Sequence, residues 1–373
     1  MKKIFITGIT GSIGIQTLDV VRTLKNFEIV GGSIYSNWEK LKKIIDEFHL
    51  KYVAVVKDGE FPKEYNGCKV LVGKRSVERA IELSSPDITI VATSGASGIK
   101  HTIQAIKSSK RIGLANKESI VCGGNLVLDL AKKFNTEIIP VDSEHSAIYQ
   151  LLLGEKEVEK IILTASGGAL RDYPVEKLKA VKPSEVLKHP NWNMGKRITV
   201  DSATMLNKGL EIIEAYYLFK TKNIEAFINR NSHIHSMVKF KDGVIKMHFG
   251  TPTMKIPIAY SLTYPERIYK FDIPNLFDEK IEFEKIDFQR YTLIKTAYEI
   301  LGNQKLHIAY NAADEVFVEL FLNEKISFLE INKGISETLS KIEKENIKIS
   351  SFEDVFKIDE LSRNIAKELG GNY

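Results

Sequence analysis

Short apolar runs alternate with stretches of helical periodicity through the first third of the chain. The runs at 3–7, 28–31, 52–56, 69–72, 87–93, 111–115 and 137–141 have strand length, and helix-period patterns at 17–21, 75–83 and 99–108 lie between several of them. This alternation predicts a parallel, doubly wound sheet with helices on both faces, so residues 1–141 read as one α/β domain. A further strand at 158–164, then two runs at 235–241 and 244–249 joined by Asp242-Gly243, add an antiparallel hairpin and make 142–264 an α+β domain. Periodicity weakens over 265–289, which reads as a linker. Beyond it, 291–301, 309–322, 331–344 and 351–369 are amphipathic, predicting a C-terminal helical bundle over 290–373.

Composition narrows the class without naming a function. The 373 residues, 43% hydrophobic and 27% charged, suit an ordinary globular protein of two or three domains. The net charge of +5 is spread over scattered lysines, which fits an anionic small molecule at least as well as nucleic acid, and no nucleic-acid motif accompanies it. Cys68 and Cys122 stand far apart without metal-ligand spacing, which points to a reducing compartment. The apolar start is too short for a signal peptide and no run is long enough to span a membrane, so the expected location is the cytoplasm.

The first strand feeds Gly8-Ile9-Thr10-Gly11-Ser12-Ile13-Gly14, ahead of a helical pattern. Glycines at this spacing let the backbone turn tightly and approach a pyrophosphate, whose charge a helix N-terminus stabilises, so the domain is expected to be Rossmann-like and to bind a dinucleotide. After the second strand come Ser33-Ile34-Tyr35-Ser36-Asn37-Trp38, with no acid before Glu39 and with Lys40 nearby, a pattern leaning toward NADP. Ala115-Asn116-Lys117-Glu118-Ser119 is a strand-to-helix turn at the ligand-binding end of such a sheet, opening a helix to about Phe134.

The candidate chemistry begins at Pro140-Val141-Asp142-Ser143-Glu144-His145. In an extended backbone Asp142 and Glu144 share a face, and two carboxylates held together call for a hard divalent cation such as Mg²⁺ or Mn²⁺. The same residues also read as a helix start capped by Asp142 or Ser143. Ser166-Gly167-Gly168 ends the 158–164 strand as a phosphate nest or a plain turn. Lys188-His189-Pro190-Asn191-Trp192-Asn193-Met194-Gly195-Lys196 reads as a flap over a substrate, or as a loop anchored by its tryptophan. A helix starting near Ser202 places Asn207, Lys208 and Glu211 on one face, suited to a phosphate and a further metal ligand, or to an ordinary solvated face.

Taken in order, these stretches resemble the 1-deoxy-D-xylulose 5-phosphate reductoisomerases. The resemblance rests on Gly8 to Gly14, Ala115 to Ser119, Pro140 to His145, Ser166-Gly167-Gly168, His189-Pro190-Asn191-Trp192 with Met194-Gly195, Val200 to Glu211, and Ile234-His235-Ser236-Met237-Val238. It implies metal ligands at Asp142, Glu144 and Glu211, catalysis by these with Lys117, and substrate contacts at Lys117, Ser143, Glu144, Ser166, His189, Trp192, Ser202, Asn207, Lys208 and Glu211. It implies cofactor contacts at Thr10, Gly11, Ser12, Ile13, Asn37, Asn116, Glu118 and Gly195. NADPH, a divalent cation, a small phosphate substrate, a homodimer and sensitivity to fosmidomycin follow from the same resemblance. Two departures stand out. Tyr35-Ser36 replaces a Gly and a small or basic residue before Asn37, and Asn229-Arg230-Asn231-Ser232 replaces a His-Pro-Gln-Ser run. Rival readings are a metal-independent dehydrogenase of the semialdehyde or homoserine type and a non-catalytic nucleotide sensor.

Overall fold

A computed structural model of the chain describes residues 1–190, 192, 194–272 and 280–371. They form two units, Met1–Ser119 with Val127–Ser146 and Thr253–Asp272, and Ile120–Leu126 with Ala147–Pro252 and the described part of Ile273–Tyr373. Asn191 and Asn193 of the expected flap, 273–279 of the expected linker, and the last two residues lie outside the described residues.

The first unit is built on β1 (Lys2–Thr7), β2 (Phe27–Ile34), β3 (Tyr52–Val55), β4 (Glu64–Tyr65), β5 (Cys68–Val72), β6 (Ile88–Val91), β7 (Arg111–Leu114) and β8 (Glu137–Pro140). Between them run α1 (Ser12–Leu24), α2 (Trp38–Phe48), α3 (Ser76–Ser84), α4 (Gly98–Ser108) and α5 (Glu118–Phe134), and α6 (Ser143–Leu151) follows β8. Strand order is β4-β5-β3-β2-β1-β6-β7-β8, and every pairing except β4 with β5 is parallel. The strands read as continuous apolar runs because both faces are covered, and Ile4, Phe5, Ile6, Val53, Ile90 and Ile112 are fully buried. The order reverses at β1 and β6, the crevice in which such sheets bind ligands. A late segment, α10 (Lys255–Thr263), joins this unit, burying Ile258 and Leu262 in its core. Gly113 leaves room for it, since a Cβ there would lie 2.8 Å from Ser261 Oγ.

The second unit holds a five-stranded sheet, ordered β12-β11-β9-β10-β13, from β9 (Val158–Ala165), β10 (Ile224–Ile228), β11 (Ile234–Phe240), β12 (Ile245–Phe249) and β13 (Glu284–Lys285). The Asp242-Gly243 hairpin is present, with β11 and β12 antiparallel, and β13 comes from the stretch of weak periodicity. Its helices are α7 (Pro183–Val186), α8 (Lys196–Thr204), α9 (Leu206–Phe219) and the C-terminal α11 (Thr292–Glu299), α12 (Gln304–Leu322), α13 (Phe328–Glu343) and α14 (Phe352–Gly370).

Two expected helices differ. The one placed near Ser202 starts at Lys196 and breaks at Met205, whose left-handed φ of 60° separates α8 from α9. The one opened by Glu118 kinks at Gly124, φ 49°, where a Cβ would lie 2.8 Å from the Tyr217 ring. Gln304 donates there to the Cys122 and Gly123 carbonyls at 2.9 and 3.2 Å, satisfying groups that the kink releases. Cys122 is accordingly packed rather than reactive, as is Cys68, whose thiol burial pushes up to about 12.

Candidate active site

Each unit carries its own half of the expected chemistry. In the first, the glycine loop leaves β1 at the switch point. Gly8 has φ 65°, and a Cβ there would meet the Ala92 carbonyl oxygen at 2.9 Å, so the backbones after β1 and β6 approach closely at this glycine. A Cβ on Gly14 would lie 2.4 Å from the Ile9 carbonyl oxygen. The loop is held by Ile9 N–H to Ser33 O at 2.9 Å and Gly8 N–H to Ser33 Oγ at 3.1 Å. Gly11 caps α1 without a side-chain bond, which leaves the first N–H groups of the helix, at Ser12 and Ile13, suited to an anion. Asn37 sits at the end of β2 and accepts the Lys40 N–H, capping α2.

Asn116 and Glu118 are buried, and their side chains shape the rim of the crevice. Asn116 Nδ2 donates to the Thr93 and Gly95 carbonyls at 2.8 and 3.0 Å, and Gly95 N–H donates to Glu118 Oε1 at 2.9 Å. Together they tie the loop after β6 to the turn after β7. Between them, Lys117 Nζ lies 2.6 Å from Asp142 Oδ2, on the loop after the neighbouring β8. Burial pushes the Asp142 carboxyl up, but the Lys117 ammonium and the His145 ring more than offset this and hold it well below the usual carboxylate range.

Asp142 and Glu144 do not share an extended strand. β8 ends at Pro140, the Asp142 carbonyl accepts the Ser146 N–H at 2.8 Å, and Glu144 stands in the first turn of α6. The alternative, a helix start, is what forms, because the backbone turns as soon as Asp142 caps it. Ser143 Oγ lies 2.5 Å from Glu144 Oε2 within that turn.

In the second unit, β9 ends in Ser166-Gly167-Gly168, with φ 85° and 74° at the glycines. A Cβ on Gly168 would lie 2.5 Å from Ser202 O and 2.7 Å from Ala203 Cα, so the loop lies directly against α8 at Ser202. His189 bridges the loops. Its Nδ1 lies 3.0 Å from the Trp192 N–H and its Nε2 3.0 Å from Ser166 Oγ. Burial, with the charge of Arg171, lowers the ring to about 4, so it is neutral at pH 7. A neutral ring that accepts at Nδ1 donates from Nε2, and Ser166 Oγ, which also takes the Gly168 N–H at 3.2 Å, keeps its own proton to donate. Gly195 caps α8. On α9, Asn207 and Lys208 both bond Glu211, as the i,i+4 and i,i+3 spacing requires, and Lys208 and Glu211 are buried rather than solvated.

Residues with no sequence signal complete this half. Arg171 donates to the Ser166 carbonyl at 2.7 Å, Arg290 to the Tyr173 carbonyl at 2.8 Å, and Tyr291 Oη to the Gly167 carbonyl at 3.3 Å. A cation or phenol fastening a loop carbonyl has no pattern in one sequence.

A glycine-looped dinucleotide fold with a buried lysine–aspartate pair at its strand ends, and a unit bearing a serine–glycine nest, define an NAD(P)-type α/β oxidoreductase. The family model for 1-deoxy-D-xylulose 5-phosphate reductoisomerase matches residues 4–124, and models for the C-terminal domains of that enzyme match 138–219 and 249–365. The chain is 44% identical to the 1-deoxy-D-xylulose 5-phosphate reductoisomerase of Thermotoga neapolitana over 99% of this chain and 97% of that protein. It is 46% identical to that of Thermotoga maritima over 92% and 90%. A crystal structure of DOX-P reductoisomerase in complex with NADPH, fosmidomycin and magnesium superposes with a TM-score of 0.91 at 32% identity, over 100% of this chain and 98% of that one. The Zymomonas mobilis enzyme in complex with NADPH gives 0.88 at 33%, over 99% of each chain. The chain belongs to the 1-deoxy-D-xylulose 5-phosphate reductoisomerase family.

Proposed function

We propose that this protein converts 1-deoxy-D-xylulose 5-phosphate to 2-C-methyl-D-erythritol 4-phosphate, using NADPH and a divalent cation, in the non-mevalonate isoprenoid pathway. The observation that carries the reading is identity above 40% to reductoisomerases along nearly the whole chain. Solved relatives bound to NADPH and magnesium favour this over a metal-independent dehydrogenase or a sensor.

Asp142, Glu144 and Glu211 are proposed to hold one ion. The donor set fits, because all are carboxylates and a hard cation takes oxygen. Asp142 and Glu211 each lie beside a lysine ammonium, Lys117 and Lys208. When bound, the ion supplies charge that polarises the substrate carbonyl and stabilises developing alkoxide. Lys117, fixed by Asp142, is placed to donate to a substrate oxygen and to keep the site's charge balanced. Ser166, Ser202, His189, Asn207 and Lys208 are proposed to hold the phosphate through hydroxyl, imidazole, amide and ammonium donors, whose remote binding energy orients the reacting end. Trp192 closes over the substrate and excludes water. NADPH supplies the hydride, and its proposed contacts are Thr10, Gly11, Ser12, Ile13, Asn37, Asn116, Glu118 and Gly195.

No described helix is long and apolar enough to cross a membrane. We place the protein in the cytoplasm as a homodimer. The edge strand β12 supports the second point, because Ile245 and Met247 are 48% and 41% exposed on it. The test is loss of NADPH absorbance with 1-deoxy-D-xylulose 5-phosphate, with Mg²⁺ or Mn²⁺ and again after chelation. Turnover that requires metal is expected. Turnover that survives chelation refutes the carboxylate assignment, and no turnover with NADPH bound refutes the substrate.

A further inference from the structure

The end of β2 carries a cation with no acid to neutralise it. Lys40 stands in the first turn of α2 and its ammonium donates to the Thr10 carbonyl in the glycine loop at 2.9 Å. The adjacent acid, Glu39, is engaged with Lys42 at 2.9 Å, and among the described residues Lys40 has no carboxylate partner. Beside it, Asn37 Oδ1 accepts the Lys40 N–H at 3.1 Å, which leaves the amide's Nδ2 hydrogens uncommitted, and the Ser36 side chain is exposed. The platform is firm. The Trp38 N–H closes a turn onto the Ser36 carbonyl at 2.8 Å, and the Trp38 ring meets Phe61 and Tyr65 edge-on with centroids 5.7 and 5.8 Å apart.

In a doubly wound domain the ribose of the adenosine half lies at the end of the second strand, and an acid there selects the free 2′-hydroxyl. Here that place offers only donors: a hydroxyl, an amide and an ammonium fastened to the loop that faces the pyrophosphate. Tyr35-Ser36 puts no basic side chain immediately before Asn37. We infer that Lys40, one turn into α2, is the specificity-determining residue for the cofactor of this chain, binding the 2′-phosphate together with Ser36 and Asn37. The bond to Thr10 holds the ammonium in place before the cofactor arrives, so little side-chain freedom is lost on binding.

The inference rests on the NADPH reading, and direct binding separates the two. Dissociation constants for NADPH and for NADH are measured by nicotinamide fluorescence on the full chain, as wild type, Lys40→Met and Lys40→Arg. Lys40→Met is expected to weaken NADPH about tenfold or more while leaving NADH unchanged, and Lys40→Arg to retain most of the preference. The NADPH affinity of the wild type is expected to fall with salt more steeply than that of Lys40→Met. Equal weakening of both nucleotides in Lys40→Met would mean that the lysine only shapes the glycine loop, and an unchanged ratio would mean that it does not meet the phosphate. Either result overturns the assignment of Lys40 alone. A wild type that binds NADH as tightly as NADPH, or neither, overturns the cofactor reading and this inference with it.

Discussion

Replacing Gly168 with alanine tests whether the phosphate loop and the Ser202 helix act as one piece. The residue has φ 74°, where an L side chain is strained by roughly 1–2 kcal/mol. The new methyl would also meet Ser202 O at 2.5 Å and Ala203 Cα at 2.7 Å, both backbone, so no side chain can swing away. Overpacking of this kind adds about 1–3 kcal/mol, for a total of roughly 2–5 kcal/mol. At about 1–2 °C per kcal/mol for 373 residues, the midpoint of thermal unfolding should drop by roughly 2–10 °C. If α8 retreats instead, Ser202 moves out of place, and losing one hydrogen bond to a charged group raises KM for the phosphorylated substrate roughly 10–100-fold. Thermal scans and steady-state kinetics on Gly168→Ala distinguish these, with NADPH binding as a control on the first unit. A variant with wild-type unfolding temperature and KM would refute the claim that the loop is locked to α8.

Acidification should destabilise the protein through buried histidines. His235 and His307 are lowered to about 4, chiefly because burial penalises the imidazolium, so the unfolded chain binds more protons between about pH 6.5 and 4 and stability falls as pH drops through that window, by on the order of 3 kcal/mol for each. Asp314, raised to about 6 by burial, has the opposite sign and offsets part of one; His307→Gln should flatten the pH dependence of the denaturant midpoint, and an unchanged slope would count against the assignment. Arg197 pairs with the fully buried Asp314 at 2.8 Å, so Arg197→Met should cost about 3–5 kcal/mol, whereas Arg197→Met with Asp314→Leu should recover much of it; equal loss in both would show that the charge pair is not the cause. Glu211→Gln should lower turnover by roughly 10²–10³-fold or more while NADPH binding stays near wild type, and comparable turnover would exclude Glu211 as a ligand.

The strand-helix alternation, the glycine loop and the hairpin were legible in the chain itself, because backbone constraints are local. A buried parallel strand must be apolar, a tight loop at a switch point must be glycine, and Asp242-Gly243 suits a two-residue turn. The i,i+4 placement of Asn207 and Glu211 was equally legible, since helical geometry sets it. What the chain alone misjudged was where one element yields to the next. Asp142 and Glu144 read either as strand neighbours or as a helix start, and the fold takes the second, while the helix expected from about Ser202 begins at Lys196 and breaks where Met205 adopts a left-handed φ. The return of α10 to the first unit, the hold of Gln304 on the kinked α5, and the fastening of Ser166 by Arg171 were decided only by tertiary packing. Each joins residues far apart in sequence through a carbonyl or an apolar face, groups that every residue or many residues carry, so no local pattern announces them. The same reason explains Lys40, an ordinary surface lysine in the sequence, which the fold carries to the carbonyl of Thr10.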